Sequence, residues 1–123
     1  MMAKLNEADV TKQIRDVLKC CGVFHWKQWQ GPMSQPKGVS DILGISRGKP
    51  LAIEIKKEGW MPPKTGTKLY AHYMNQKAFI DKYNSEGGIG FFATSADEVV
   101  NRLGLQVVLY PLFNQNTEGK EDG

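Results

Sequence analysis

Apolar residues recur along the chain at two different periods, and the switches between them mark its elements. Val10, Ile14, Val17, Leu18 and Cys21 form a helical stripe. Asn6 is placed to cap that helix, Glu7 and Asp9 suit its positive end, and Gly22 stops it. The aromatic-rich run Val23–Gln30 alternates loosely, as a strand does. Two further apolar runs, Ile42–Ile45 and Leu51–Ile55, flank Ser46-Arg47-Gly48-Lys49, which has the composition of a tight turn, so the pair reads as a core hairpin. A second helix is predicted from about Tyr70 or Tyr73 to Ser85, with Gly87-Gly88 as terminator. Ile89–Ala93 is a short buried strand, and Ser95-Ala96-Asp97-Glu98 opens a third helix ending at Leu103-Gly104. Gln106–Tyr110 has the pattern of a last strand before Pro111. The order αβββαβα, with a further β at the end, predicts an α/β domain: a central mixed sheet flanked by helices.

The hairpin carries residues that a structural hairpin would avoid. With Arg47-Gly48 as a two-residue loop, Ser46 faces Lys49, Gly44 faces Leu51, and Asp41 falls opposite Glu54, their β-carbons roughly 5 Å apart. Lys56 shares a face with Glu54, while Ile53 and Ile55 point to the other. Two adjacent carboxylates repel, and burying either is costly without a counter-charge. A surface salt bridge of Lys56 with one acid is one resolution. A divalent cation is the other, and hard oxygen ligands with room for water and a phosphate oxygen suit Mg²⁺ or Mn²⁺. Gln76 lies on the inward stripe of the second helix with Tyr73, Ile80 and Tyr83, where its amide needs partners that the cluster could supply. Glu7, at the end of the first helix's inward stripe, is either a first-turn charge with its head in water or a further metal ligand.

Charge and length then narrow the picture. The chain has 123 residues, enough for one domain with a real core, and a net charge of +3. From residue 37 to 82 there are nine Lys or Arg against four acids, a basic body around an acidic pocket. The last ten residues are polar and expected to be a disordered tail, leaving a single domain over 1–113. Cys20 and Cys21 are adjacent, unsuited to a disulfide with each other, and read as buried thiols in a reducing compartment. Without an apolar run near ~18 residues or a signal-like N-terminus, a soluble, cytoplasmic protein is expected.

Several polar and aromatic residues are candidates for contacting a polyanion. The loop 31–38 leads to Asp41, and Lys27, Gln28, Gln30, Gln35 and Lys37 lie in or beside it. After Lys56, a Pro-, Gly- and Lys-rich segment holds Lys57, Trp60, Lys64 and Lys68, and Lys77 follows on the second helix. Trp60 there could stack on a base or form a dimer contact. His25 reads as half-buried in the sheet, because no partner suits a relay.

Asp41…Glu54-Ile55-Lys56 within this element order resembles the PD-(D/E)xK nuclease core, and the closer likeness is to its VRR-NUC (virus-type replication-repair nuclease) branch. The likeness runs from about Asn6 to Leu103. It rests on Glu7-Ala8-Asp9-Val10, Gly38-Val39-Ser40-Asp41, Ala52-Ile53-Glu54-Ile55-Lys56, Gln76, and Gly87-Gly88 before a strand and Ser95. Ser40 departs from the proline that usually precedes the aspartate, and the Trp60–Tyr70 segment looks extended. The resemblance implies a restriction-endonuclease-like fold with metal held by Asp41, Glu54, the Ile55 carbonyl and, as a further ligand, Glu7. It also implies that Lys56 orients or deprotonates the attacking water, with Gln76 and Glu7 completing the catalytic set. The implied activity is a Mg²⁺- or Mn²⁺-dependent endonuclease on branched DNA, acting as a homodimer like a Holliday-junction resolvase and leaving 5′-phosphates. A viral or mobile-element source, and the host cytoplasm as its location, are implied with it. Its rivals are a flap or structure-specific nuclease subunit of a replication-repair complex, and a nucleic-acid-binding module that no longer cuts.

Overall fold

The structure is a computed structural model and describes residues 3–31, 33 and 37–106. Its elements are α1 (Glu7–Cys20), β1 (Phe24–Lys27), β2 (Ile42–Ser46), β3 (Lys49–Ile55), α2 (Lys68–Ser85), β4 (Ile89–Ala93) and α3 (Ala96–Leu103). This is the expected αβββαβα order. Residues 107–123, which include most of the expected last strand and the whole tail, and Gln35 lie outside the described residues.

Local chemistry explains the boundaries. Asn6 and Asp9 form a reciprocal capping box at α1, and Gly104 closes α3 in the left-handed region at φ 63°. In the β2–β3 turn both Arg47 (φ 51°) and Gly48 (φ 80°) have positive φ, as a two-residue loop matched to strand twist requires. Arg47 adopts this less favourable backbone while its guanidinium donates to the Gly104 carbonyl at 3.0 Å. Helix α2 starts earlier than the apolar pattern indicates. The Thr67 hydroxyl accepts from the Tyr70 N–H, a cap that lets the helix begin at Lys68.

The strands lie in the order β1-β2-β3-β4, with β1–β2 and β2–β3 antiparallel and β3–β4 parallel. The register pairs Ser46 with Lys49 and Gly44 with Leu51, as the turn demands. One sheet face packs a dry core against α1 and α3: Val10, Ile14, Leu18, Ile42, Leu51, Ile53, Ile55, Phe91, Val99 and Leu103. Helix α2 covers the β3–β4 half of the opposite face, where Gln76 and Ile80 are its buried residues. The β1–β2 half of that face is bare, so Phe24 (65% exposed), Trp26 and Ile45 remain at the surface among the described residues. The hairpin is therefore core on one face only, and Ile45 does not belong to that core.

The cysteines also differ from expectation. Cys20 is exposed and Cys21 half-buried, because the inward stripe of α1 ends at Leu18 and the last turn carries both away from the core. His25 is half-buried, as expected, with Nδ1 2.9 Å from the Val23 carbonyl. Strand β1 is shorter than the alternating run. No helix among the described residues is long and apolar enough to cross a membrane.

Gly44 tests the β1–β2 contact. A Cβ there would lie 2.3 Å from the Phe24 carbonyl oxygen, backbone that cannot swing aside. Gly44→Ala should lower unfolding stability by about 2–3 kcal/mol, measured by urea denaturation. An unchanged midpoint would mean that β1 lifts from β2 without cost.

Candidate active site

The β2–β3 ladder ends at the Ile42–Ile53 pair, and the site begins there. Asp41 is the next residue, one step before the strand, and its carbonyl and both carboxylate oxygens are engaged. Its backbone carbonyl accepts from Gln28 N–H at 2.7 Å, its Oδ2 accepts from Ile55 N–H at 2.8 Å, and its Oδ1 accepts from Gln30 Nε2 at 3.2 Å. Gln30 donates to the Val39 carbonyl as well, at 2.9 Å. A phosphate contact was expected of Gln30, whereas its amide here holds the acid in place.

Glu54 follows on β3, on the face beneath α2, and is only 3% exposed. Its Oε2 accepts from Gln76 Nε2 at 2.9 Å, while its Oε1 is buried without a hydrogen-bond partner. Its carboxyl is pushed up to about 9. Burial is the main cause, followed by the charge of the neighbouring Asp41 carboxylate; Glu7 adds to the rise and Lys56 opposes it. In the absence of a cation, Glu54 therefore holds a proton at neutral pH.

Lys56 completes the group. Its Nζ donates to Gln76 Oε1 at 3.0 Å, lies 3.8 Å from Glu54 Oε2, and stands 5.4 Å from the centroid of the Trp60 ring. Gln76 thus links the lysine to the buried acid, and the inward position read from its helical spacing is the observed one.

Two backbone features bring these elements together. Gly38 has φ +76°, and a Cβ on it would lie 2.3 Å from the Asn75 carbonyl oxygen. Only glycine lets the loop before Asp41 lie against the backbone of α2 beside Gln76. At the other side, Leu5 and Glu58 exchange hydrogen bonds, Leu5 N–H to Glu58 Oε1 at 2.8 Å and Glu58 N–H to the Leu5 carbonyl at 3.1 Å. That tie sets the start of α1, with exposed Glu7, against the chain leaving β3.

The result is an open cavity of about 500 Å³ whose lining includes Glu7, Asp41, Glu54, Lys56 and Gln76. Among the described residues no three His, Cys, Asp or Glu side chains converge closely enough to hold a metal. Glu7 therefore shares the cavity without joining Asp41 and Glu54 in a three-carboxylate cluster. The two acids still fit a hard divalent cation, because Mg²⁺ commonly takes one or two carboxylates and keeps several waters. The partnerless Oε1 of Glu54 is an available ligand atom. The N–H and C=O of one strand residue point to the same side, so the Ile55 carbonyl lies on the side where its N–H meets Asp41.

The polyanion candidates divide. Gln30 and Lys37 line the central cavity. Lys57 and Trp60 line an adjoining one of about 530 Å³, which shares Lys56 and Gln76 with the first. Trp60 is engaged within the chain, stacked on Phe92 at 5.3 Å and near Tyr73 at 5.9 Å, so that ring face is not free for a base. Lys27 lies in a separate cleft along α1 with Lys12, Arg15 and Lys19. Lys77 pairs with Asp81 at 2.8 Å, and Lys64 and Lys68 are exposed around the start of α2. Sequence reasoning missed His72, which lines both cavities and contacts Gln76. The i, i+4 spacing of His72 and Gln76 on one helix was the signal available.

Comparison with known proteins gives one likeness. No family model and no curated protein matches the chain. Among solved structures, the chain is similar to a "VRR_NUC domain protein". The two are 22% identical with a TM-score of 0.45, over 80% of this chain and 85% of the other.

Glu54 gives a prediction that needs no substrate. Its carboxyl passes from an ordinary value of 4.5 to about 9 on folding, so between these pH values the folded state holds a proton that the unfolded chain releases. Stability without metal should fall as pH rises through that window. Glu54→Gln removes this dependence, so in EDTA its Tm advantage over the wild type should widen from pH 5 to pH 9. A constant difference would mean that Glu54 is ionised in the folded protein.

Proposed function

We propose that the protein is a divalent-metal-dependent endonuclease that hydrolyses phosphodiester bonds in DNA. The observation that carries this reading is the buried Glu54 carboxyl beside Asp41, with Oε1 lacking a partner, at the floor of an open cavity that also holds Lys56. A carboxyl in that position is energetically unfavourable when ionised, since Lys56 at 3.8 Å offsets its burial and the Asp41 charge only in part, and a Mg²⁺ or Mn²⁺ ion is the partner that fits hard oxygen donors. When bound, such an ion withdraws charge from a phosphate and lowers the pKa of water.

The chain's own residues do the rest. Asp41, fixed by Ile55 N–H and Gln30, offers a carboxylate that does not need to reorganise. Gln76 holds the Lys56 ammonium at 3.0 Å, poised at the cavity to stabilise negative charge developing on an attacking water or phosphate oxygen. Lys37 at the cavity, and Lys57 beside it, supply charge along a phosphate backbone, while Gln30 serves Asp41. Glu7 contributes negative charge to the lining of the same cavity.

The test is incubation with labelled four-way junctions, flaps and linear duplex in Mg²⁺, Mn²⁺ or EDTA. Cleavage that leaves 5′-phosphates should occur with metal and stop in EDTA. Lys56→Ala should lower kcat by about 10²–10⁴-fold while DNA binding persists, and Asp41→Asn should weaken metal binding. Binding to all substrates with cleavage of none would leave a nucleic-acid-binding module. Equal cutting of linear duplex would remove the branched-substrate assignment, and preference for flaps would favour a structure-specific nuclease.

A homodimer belongs to the same proposal, since two copies would cut the two strands of a branched substrate. The β1–β2 face, where Phe24, Trp26 and Ile45 are exposed among the described residues, is apolar surface of the kind that pairing covers. Sedimentation over a range of concentrations should give a dimer that Trp26→Glu converts to monomer. A monomer at every concentration would exclude the pairing.

A further inference from the structure

A primary amide has one carbonyl and two N–H donors, and at Gln76 all three have a destination. Oε1 accepts from Lys56 Nζ at 3.0 Å. Nε2 lies 2.9 Å from Glu54 Oε2 and 3.2 Å from His72 Nε2. One amide hydrogen goes to Glu54, so the other points at His72. Nε2 of the histidine must then present a lone pair, which puts the ring proton on Nδ1.

We propose that His72, as a neutral imidazole protonated on Nδ1, is a positioning residue that locks the Gln76 amide and through it the Lys56 ammonium. The functional part of this rests on the nuclease reading above. Glu54 and Lys56 select which way round the amide lies, because the flipped amide would set its oxygen against the carboxyl and its NH₂ against the ammonium. They hold its plane loosely, because the terminal torsion of glutamine is broad and the amide can still rock about these two contacts. The contact from His72, one turn earlier on α2, removes that freedom. It also holds the lysine at the amide oxygen, 3.8 Å from Glu54 Oε2 rather than collapsed onto it.

His72 lies where the cavity holding Asp41 and Glu54 meets the one holding Trp60 and Tyr73. A substrate bound across both would cover the imidazole and exclude the water that could otherwise accept the second amide hydrogen. The lock should therefore show in kcat more than in KM.

The experiment has two arms. Ring-nitrogen NMR of the wild-type protein should show His72 protonated at Nδ1 and unprotonated at Nε2, and Gln76→Ala should abolish that preference. This arm needs no substrate, so it separates failure of the present inference from failure of the nuclease reading. In the cleavage assay, His72→Phe keeps a ring but no acceptor and should lower kcat about three- to tenfold with KM nearly unchanged. His72→Gln places an acceptor at the distance of the lost Nε2 and should recover most of the loss. In a Gln76→Ala background, His72→Phe should have no further effect. A wild-type ring protonated at Nε2 would overturn the proposal, as would a His72→Phe loss of the same size with and without Gln76.

Discussion

A carboxyl group buried to 3% exposure beside a second carboxyl can be accommodated by a proton, by a cation, or by enough hydrogen-bond donors, and this fold supplies a share of each. Gln76 gives Glu54 one donor, Lys56 gives a charge at 3.8 Å, and the remaining demand is left open at Oε1. Among the described contacts the Glu54 side chain reaches Gln76 and Lys56 and no backbone group of the sheet. The strain of the acid is thus local to the site and is not needed to hold the sheet together.

The two faces of the sheet divide the work. The face under α1 and α3 is dry and continuous, and it makes β3 rigid through Leu51, Ile53 and Ile55. The alternating residues Glu54 and Lys56 are therefore presented from a stiff strand, with α2 laid across them. Gly38 and the Leu5–Glu58 exchange then fasten the loop before Asp41 and the start of α1 around the same strand end. The geometry depends on close backbone approach at one side and on a pair of hydrogen bonds at the other.

Much of this was legible in the sequence where the signal is local. Capping chemistry, the two-residue turn and period-two alternation fix the register, and the register alone sets Asp41 against Glu54. Helical spacing turns Gln76 inward. What sequence could not supply were contacts between distant segments: Gln30 reaching back to Asp41, Trp60 folding onto Phe92, and the exposure of Ile45, which depends on α2 covering only half of a sheet face. Cys20 and Cys21 were misjudged because a helical stripe shows which side is inward but not where the core ends. His72 was overlooked because its role depends on hydrogen-bond counting at Gln76, which requires both partners of that amide to be known.

The hydrogen bond from Ile55 N–H to Asp41 Oδ2 takes the place that a backbone acceptor would fill if the β2–β3 ladder continued. The residue that would hold metal is thus also the last rung of the hairpin. On the proposed nuclease reading, a lineage drifting away from catalysis would not shed its acids and lysine at equal rates. Loss of the Asp41 side chain would fray the sheet as well as the chemistry, whereas loss of the Lys56 ammonium removes no backbone partner. Descendants that keep the fold as binding modules would be expected to retain the aspartate as an architectural relic and to lose the lysine first.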